Sequence, residues 1–521
     1  ANDLFPHVLI INTDLDRSDI TRLYKQCDAL IAPSHGEGFG LPIAEAMLLK
    51  LPVITTGWGG QTDFCNQENS WLIDYNFAYS KTHFNLFSSV WAEPSISHCA
   101  ELMKEVFFGD KFQIEERINK AYEMIISNKF TWSYVAETNI NFVNKIQKNN
   151  YDNEPRIGWV TPWNTKCGIA SYSENLINQI EDFVLILAPK DEKLVAKDSS
   201  LVRRCWSISE STLIELSRLI IDEQISTVVL QFNFGFYDFT KLSDLIQLLR
   251  DRSINIIVFF HSTISPFGVR NKDLNSIRIA LAMCTRLLVH TPADMNRLKD
   301  LGLVENVTLF PHGLLDYNNQ YNSNSNKQYL KLPIVKASKI HLSSFGFCLP
   351  NKGFLELIKS IPILISYGYE VKLDLFTSIY QDHYEWFYHE LKKNISILNL
   401  KKYISINGSY LSNQESLDAL ALTDLIIYPY QSSNESSSAA VRHGLASGTP
   451  VAVTPLNIFD DVSEVVHYLP GITPLDIARG IVNWIENDQK LSVDKVQWLE
   501  QHRFSTLGIR LEQMIRSLEI N

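Results

Sequence analysis

The stretch EGFGLPIAEAMLLKLPVITT, residues 37–56, contains a glycine-rich turn followed by an apolar helical pattern and a β-branched run. Pro42 suits the first turn of a helix, where its missing N–H group costs nothing. Gly38, Phe39 and Gly40 therefore predict a tight loop between a strand and that helix. The backbone N–H groups of this loop and of the helix N-terminus can hold a phosphate.

Two glutamates flank this loop. Glu37 stands just ahead of it and can reach the hydroxyl groups of whatever the phosphate carries. Glu45 lies about one turn into the predicted helix, where its carboxylate can accept two hydrogen bonds from vicinal hydroxyls such as those of a ribose. An anion site between two such carboxylates predicts binding of a nucleotide sugar. Two solvated acids on a surface helix are the alternative for an isolated pair.

The same pattern recurs near the end of the chain. Residues 435–454, ESSSAAVRHGLASGTPVAVT, align with residues 37–56 without a gap, so that Glu435 falls on Glu37. The preceding segments CDALIAP and LTDLIIYP also correspond, with a difference of two residues in the loop. Such self-similarity predicts two copies of one domain.

Short β-branched runs alternate with amphipathic helical stretches over nearly the whole chain, beginning with the predicted strand HVLIINT at residues 7–13. This alternation predicts an α/β fold class with Rossmann-like parallel sheets. Two polar segments interrupt it and read as linkers. The predicted organisation is a domain at 1–147, a linker at 148–154, a domain at 155–315, a linker at 316–335 and a domain at 336–521.

The composition is that of an ordinary globular protein. The 521 residues are 45% hydrophobic and 20% charged, and the net charge is −11 without a basic block, which argues against a nucleic-acid partner. No apolar run reaches the roughly 18 residues needed to cross a bilayer. The seven cysteines are scattered without a CxxC pair, which is typical of reduced thiols in a cytoplasmic protein.

The motif EGFGLPIAEAM resembles the glutamate–seven residues–glutamate signature of retaining family 4 glycosyltransferases, which have the GT-B fold. GWGGQTDFC, residues 57–65, is similar to the glycine loop that follows in this family. The resemblance implies that Glu37 holds hydroxyls of the donor sugar and that Glu45 holds the ribose of the nucleotide. It covers essentially the full chain.

The resemblance also implies a tandem arrangement. Residues 1–147 correspond to the donor-binding, C-terminal half of one module, whereas 155–315 and 336–521 correspond to the acceptor and donor halves of a second, complete module. Because the sequence starts inside a recognisable domain, we expect the first module to be truncated from a longer tandem enzyme. A half-module that serves as a docking element is the alternative.

The second copy departs from the family pattern around its glutamate. Glu435 is kept, but the second glutamate is replaced by His443. Ser436, Ser437 and Ser438 replace the glycine loop, and they still offer backbone donors to a phosphate. We expect Glu435 to orient the donor sugar, and the three serines and His443 to bind the rest of the donor.

The cations that the family uses for the diphosphate are only partly present. In GFCLPNKG, residues 346–353, Lys352 is kept, but Phe347 stands at the position of the family's arginine. Arg442 is expected to supply the missing positive charge, with a plain surface role as the alternative. Asp460 and Asp461 follow the next strand, where helix capping is the favoured interpretation.

The middle domain offers residues for the opposite side of a cleft. Gly168, in WNTKCGIASYSENL, opens a predicted helix where this fold places a loop against the donor phosphate. His261 ends the strand VFFHS, at the carboxyl edge where open parallel sheets bind ligands. Family members carry a histidine near this place, although such a histidine can also be a core residue. Asn233, His290 and Thr291 end neighbouring strands and are weaker candidates.

No metal or other cofactor is expected. Asp14 and Asp16 resemble an Asp-x-Asp metal motif, but they stand beside a predicted helix start, where capping explains them better. The 13 histidines show no HExxH motif or clustered Cys/His spacing. The co-substrate implied by the resemblance is a nucleotide-diphosphate sugar.

The resemblance implies a metal-independent hexosyltransferase of polysaccharide biosynthesis, for example of lipopolysaccharide O-antigen. The family's usual substrates imply a mannose or rhamnose donor and an oligosaccharide or lipid-linked glycan acceptor. They also imply a cytoplasmic location, with peripheral association at the inner membrane face through a partner. A degenerate, non-catalytic glycosyltransferase-like scaffold is the main alternative. A nucleotide-sugar epimerase is a third, which the tandem layout disfavours.

Overall fold

A computed structural model describes residues 7–82, 86, 88–148, 155–207, 213–317, 339–379, 384–487 and 495–519. The chain divides into two compact units. Unit 1 comprises residues 1–84 and 89–150, and unit 2 comprises residues 85–88 and 151–521. The boundary falls inside the predicted linker 148–154, most of which lies outside the described residues. The same holds for most of the second predicted linker, 316–335.

Unit 1 is built around a small parallel sheet. Its described strands and helices are α1 (Arg17–Tyr24), β1 (Leu30–Ala32), α2 (Leu41–Leu48), β2 (Val53–Thr56), β3 (Trp71–Ile73), β4 (Tyr75–Tyr79), β5 (Val90–Pro94), α3 (Ile96–Phe108), α4 (Lys111–Ile126) and α5 (Trp132–Lys148). Strands β1, β2 and β3 form the parallel sheet in that order, and β4 and β5 form an antiparallel hairpin. The buried face of α2 packs on this sheet through Ile43, Ala46 and Met47.

The predicted strand at residues 7–13 does not form. These residues have no regular secondary structure, and Val8, Leu9 and Ile10 are 79%, 84% and 83% exposed. A strand needs a neighbour for its backbone N–H and C=O groups. Among the described residues β1 pairs with β2 alone, so residues 7–13 do not pair with its other edge. The strand prediction for residues 7–13 is therefore wrong for this structure.

Unit 2 has two lobes. The middle lobe, residues 155–317, contains β6 (Arg156–Val160), α6 (Gly168–Ile177), β7 (Phe183–Pro189), β8 (Val202–Trp206), α7 (Ile214–Asp222), β9 (Thr227–Phe232), α8 (Phe239–Asp251), β10 (Asn255–Phe260), α9 (Arg278–Met283), β11 (Arg286–Val289), α10 (Pro292–Asp300) and β12 (Val307–Leu309). Its seven strands are parallel, in the order β12-β11-β10-β9-β6-β7-β8.

The last lobe, residues 339–501, repeats this design and is followed by one more helix. Its elements are β13 (Ile340–Phe347), α11 (Phe354–Ser366), β14 (Val371–Ser378), α12 (Glu385–Ile397), β15 (Ile404–Asn407), α13 (Asn413–Ala421), β16 (Leu425–Tyr428), α14 (Ala439–Ala446), β17 (Val451–Val453), β18 (His467–Tyr468), α15 (Pro474–Glu486) and α16 (Lys495–Gln501), before α17 (Phe504–Leu518). Its six parallel strands have the order β15-β14-β13-β16-β17-β18.

Both sheets reverse their strand order at one place, between β6 and β9 in the middle lobe and between β13 and β16 in the last lobe. Open parallel sheets bind ligands at the carboxyl ends of the strands beside such a reversal. The segments that follow β6, β13 and β16 contain Gly168, Lys352 and Glu435 respectively. The topology therefore brings these sequence-predicted residues to the ligand-binding edges.

Helix α17 does not belong to the lobe that its sequence position suggests. Its apolar residues recur at helical spacing, and Phe504, Leu507, Leu511 and Ile515 are buried against the middle-lobe core around Phe259. The predicted domain 336–521 thus gives its last helix to the neighbouring lobe. In unit 1, α5 holds the corresponding place at the end of the unit, but its first residue, Trp132, is 87% exposed.

Candidate functional site

The loop after β13 presents Lys352 beside the end of β16. The Lys352 Nζ atom lies 4.0 Å from the centre of the Tyr430 ring and 3.8 Å from the Glu435 carboxylate. Burial disfavours the charged ammonium, but Tyr430 and Glu435 outweigh this effect, and the pKa of Lys352 is raised. Lys352 is therefore a permanent positive charge with 12% of its side chain exposed.

Gly353 makes this loop possible. Its φ angle is +74°, and an added Cβ atom would lie 1.8 Å from the Pro429 carbonyl oxygen. A side chain at this position would therefore push the β13 loop away from the strand end that carries Tyr430. The close approach of two backbones fixes where the Lys352 ammonium sits.

Glu435 faces the middle lobe. Its side chain is 64% exposed, and its described ionic partner is Lys352. Burial raises the pKa of the Cys167 thiol, and the carboxylates of Glu192 and Glu435 raise it further, which places Glu435 near the start of α6. Gly168 is the first residue of α6, and open space lies where its side chain would be. Lys352, Glu435 and Gly168 thus lie near the border between the two lobes, which we call the cleft.

The three serines after Glu435 have different roles. The Ser436 hydroxyl donates to Asp294, and the Ser436 N–H group donates to the His261 carbonyl oxygen over 3.3 Å. The Ser438 hydroxyl caps α14 by accepting from the Val441 N–H group. The Ser437 hydroxyl is buried without a partner among the described residues.

The predicted role of Arg442 does not agree with its position. Arg442 is 2% exposed, and its guanidinium pairs with Asp461. It also donates to the carbonyl oxygens of His312 and Ser438 over 3.0 and 3.2 Å. These contacts direct its donors into the protein, so Arg442 adds no open charge for a diphosphate. Asp461 is an ion-pair partner rather than a helix cap, and burial raises its pKa despite Arg442.

His443 and Phe347, which replace the family's glutamate and arginine, both join ring stacks. The His443 ring stacks on Phe345 with centroids 5.0 Å apart, and its Nε2 atom lies 3.2 Å from the Asn413 side-chain oxygen. Burial lowers the pKa of His443 to about 4, so the ring is neutral at pH 7. Phe347 stacks on Tyr410 at 6.4 Å.

His261 lies at the end of β10, on the middle-lobe side of the contact with Ser436. Its Nε2 atom is 2.7 Å from the Gln231 side-chain oxygen, and its ring meets Tyr172 edge-on at 5.1 Å. Burial and the neighbouring His290 lower the pKa of His261 well below its ordinary value. A neutral imidazole at this place can exchange hydrogen bonds with a hydroxyl group without adding charge.

Of the weaker candidates, His290 and Thr291 are structural. His290 is 1% exposed, and its Nδ1 atom lies 2.9 Å from the Phe310 carbonyl oxygen. The Thr291 hydroxyl donates to Asp294. Asn233 accepts from the Gly235 N–H group in the loop after β9.

The loop of unit 1 has the predicted form. Gly40 precedes α2 with a φ angle of +88°, and the Glu37 carboxylate accepts from the Ser34 hydroxyl over 2.7 Å. Gly38 is exposed, whereas the Phe39 ring packs on Phe64 at 4.9 Å. Phe39 is thus a core anchor of this loop.

Glu45 lies on α2, half-buried and close enough to Tyr24 to contribute to its raised pKa, which is mainly due to burial. Asp16, from the Asp-x-Asp sequence, caps α1 by accepting from the Asp19 N–H group. Across the described ranges there is no group of three histidine, cysteine or carboxylate side chains suited to a metal ion. Within the same ranges no helix is long and apolar enough to cross a membrane.

Sequence reasoning missed Gln231, Asp294 and Arg204. Arg204 donates to Asp198, Glu192 and the Trp163 carbonyl oxygen, and so fixes the loop that leads to α6. Each of these residues helps to position a predicted site residue or its loop through a contact between distant segments. No local sequence motif reveals such a contact. The one available signal was the buried strand position of Gln231.

Five histidines that are buried or half-buried predict an acid-sensitive fold. Burial lowers the pKa values of His290, His443 and His502 to about 4, and it lowers those of His261 and His312 well below their ordinary value. As the pH falls below about 6.5, these histidines become protonated in the unfolded chain before they do so in the folded protein. The free energy of unfolding therefore decreases by about 1.4 kcal/mol for each histidine and each pH unit. Urea midpoints measured at pH 7.5 and 5.5 should show this loss. His290→Gln should weaken the pH dependence, whereas the exposed His389→Gln should not.

Known proteins resemble parts of this chain. Residues 5–79 match the family model described as "Glycosyl transferases group 1". Among solved structures, Anabaena Alr3699/HepE in complex with UDP is 13% identical, with a TM-score of 0.52 over 70% of this chain and 100% of that chain. An α,α-trehalose-phosphate synthase (UDP-forming) from Burkholderia vietnamiensis is 11% identical, with a TM-score of 0.52 over 71% of this chain and 100% of that chain.

A glycosyltransferase from Rickettsia africae ESF-5 is also 11% identical, with a TM-score of 0.51 over 71% of this chain and 100% of that chain. The search of curated proteins found no match. At these identities the likeness concerns the fold. The chain has the Rossmann-like α/β architecture of GT-B glycosyltransferases.

Proposed function

We propose that unit 2 is a glycosyltransferase that takes a hexose from a nucleotide-diphosphate sugar. The observation that carries this proposal is the meeting of Lys352 and Glu435 at 3.8 Å. They come from segments that follow β13 and β16, the strands beside the order reversal. Across the cleft stand Gly168 at the start of α6 and the neutral imidazole of His261. A cation, a carboxylate and a helix start in one cleft suit a phosphorylated, hydroxyl-rich ligand.

In the proposed reaction the bond between the anomeric carbon and the diphosphate oxygen breaks, and a bond to an acceptor hydroxyl forms. Negative charge grows on the departing diphosphate, and Lys352 with the N–H groups at the start of α14 would stabilise it. Glu435 would hold hydroxyls of the sugar, and His261 would contact the reacting sugar from the middle lobe. The acceptor hydroxyl would attack on the face from which the diphosphate leaves and pass its proton to the departing phosphate, so the anomeric configuration would be retained.

The finer features of the proposal rest on the motif resemblance. They are a mannose or rhamnose donor, a metal-independent reaction and a growing bacterial surface glycan, oligosaccharide or lipid-linked, as acceptor. This reaction would take place in the cytoplasm, at the inner face of the membrane through a partner. His443, stacked on Phe345, would take the ribose position. Unit 1 would bind a donor through Glu37, Glu45 and the loop between them.

Glu435→Gln is expected to lower donor turnover about 100-fold, because the uncharged amide weakens both the sugar contact and the ion pair with Lys352. Release of the nucleoside diphosphate with and without a glycan acceptor measures this loss. Glu370→Gln is the matched control, because Glu370 is 63% exposed and pairs with Lys339 at 3.3 Å outside the cleft.

The donor itself is identified first by thermal-shift screening of GDP-, UDP- and dTDP-sugars. If Glu435→Gln turns over the best-bound donor as fast as the unchanged chain does, Glu435 has no catalytic role. Unchanged turnover in Glu370→Gln assigns the loss in Glu435→Gln to the cleft rather than to a general effect on charge.

A non-catalytic scaffold is the second candidate, and two contacts favour it. The Ser436 N–H group already donates to the His261 carbonyl oxygen, and Arg442 is turned into the protein. A donor phosphate would therefore find fewer free donors than in the family pattern. A scaffold releases no nucleoside diphosphate from any donor, with or without acceptor, whereas an active enzyme releases it.

A further inference from the structure

The loop that carries Glu435 is fastened to the middle lobe on both sides of that residue. Before it, the Ser262 hydroxyl donates to the Asn434 carbonyl oxygen over 2.8 Å. After it, the Ser436 hydroxyl donates to the Asp294 carboxylate over 2.8 Å, and the Ser436 N–H group donates to the His261 carbonyl oxygen. The position of Glu435 is therefore fixed by the opposite lobe as well as by its own.

Asp294 is a rigid anchor for this loop. It is 0% exposed, and its carboxylate also accepts from the hydroxyls of Thr263 and Thr291 over 2.5 and 2.6 Å. The Arg297 guanidinium contributes a charge-assisted bond of 2.7 Å. A carboxylate with four donors cannot rotate away without leaving several buried groups unpaired. Of these four described donors, Ser436 is the one that belongs to the last lobe.

The internal repeat explains why a serine stands at 436. The corresponding residue in unit 1 is Gly38, which has no hydroxyl group and has open space where a side chain would be. The exchange of glycine for serine in the second copy therefore adds one specific bond, from Ser436 to Asp294. The sequence alone does not predict this bond, because Ser436 and Asp294 belong to different lobes.

We propose that Asp294 and Ser436 are positioning residues that hold the Glu435 carboxylate in register with His261 across the cleft. This inference rests on the proposed function of unit 2 and names the contact that sets its geometry. Neither residue needs to touch the substrate. Loss of the bond loosens the Glu435 loop, and a misplaced carboxylate affects the transition state more than donor binding.

Three substitutions at one position test this proposal. Ser436→Ala and Ser436→Gly remove the hydroxyl, whereas Ser436→Thr keeps it. Ser360→Ala is the matched control, because the buried Ser360 hydroxyl makes one bond of 2.7 Å to the Leu357 carbonyl oxygen away from the cleft. All variants are made in the full chain, and urea unfolding verifies that each is folded.

Amide hydrogen exchange gives the first readout and needs no catalysis. Ser436→Ala and Ser436→Gly should speed exchange in residues 434–438 and 261–264, whereas Ser436→Thr and Ser360→Ala should not. Donor turnover gives the second readout. The Ala and Gly variants should lose about 10-fold in kcat with KM nearly unchanged, as expected for one bond to a charged group, and Thr should restore it.

Unchanged exchange in the Ala and Gly variants would overturn the positioning role, and so would an equal loss of kcat in Ser360→Ala. If the unchanged chain releases no nucleoside diphosphate from any donor, the proposed function fails. The exchange comparison then still decides whether the bond from Ser436 to Asp294 fixes the loop.

Discussion

Lys352→Met is expected to reduce donor turnover by about 100- to 1,000-fold, the largest catalytic effect of any single change in this chain. The substitution keeps most of the apolar stem and removes the ammonium, which lies over the Tyr430 ring. Negative charge on the departing diphosphate then loses the cation nearest to Glu435. Because this charge develops during bond breaking, kcat should fall far more than donor affinity.

The measurement is nucleoside diphosphate release at saturating donor, with donor affinity determined separately by calorimetry. Lys339→Met is the control, because Lys339 pairs with Glu370 at the start of the last lobe, away from the cleft. Lys352→Arg should recover only part of the activity, since a guanidinium has a different shape and hydration from an ammonium. Full activity of Lys352→Met would show that Lys352 does not act on the leaving group.

Arg442→Met is expected to lower the free energy of unfolding by about 3–5 kcal/mol. The buried carboxylate of Asp461 would lose its ionic partner, and the carbonyl oxygens of His312 and Ser438 would lose their donors. Removing one member of a buried ion pair costs more than the pair itself contributes, because the remaining charge stays out of water.

Urea unfolding followed by tryptophan fluorescence measures this change. The double variant Arg442→Met/Asp461→Leu should recover part of the lost stability, because it removes both members of this buried ion pair. Lys241→Met, which breaks the exposed pair with Asp244, should have little effect. A stability of Arg442→Met equal to that of Lys241→Met would mean that the interior position of Arg442 contributes nothing.

The cleft could be predicted from sequence because its parts follow strands. Gly168, Lys352 and Glu435 each come after a buried parallel strand, and parallel topology brings such segments to one edge. The alternation of strands and helices was equally visible, because period and composition are local properties. The predicted fold class is confirmed by both the structure and its known relatives.

Other features depend on contacts between distant segments. Helical spacing alone permits Arg442 to point either to a ligand or into the protein. The direction is decided by Asp461, which lies nineteen positions further on. Residues 7–13 have the composition of a strand, but among the described residues they pair with no strand, because pairing depends on contacts beyond the local sequence. Ser436 looked like a substitute for a phosphate-binding glycine until Asp294 was found opposite its hydroxyl.

The crossing of α17 affects how the chain folds during synthesis. The middle-lobe core is incomplete without Phe504, Leu507, Leu511 and Ile515, which are made only after the whole last lobe. Domains generally fold in order as they leave the ribosome. Here the sheet of residues 155–317 has to wait, with part of its apolar face uncovered, until α17 emerges. A nascent chain that stalls in the last lobe would therefore expose both the uncovered face of the middle lobe and the incomplete last lobe. We expect chaperone binding to matter most at this stage of translation.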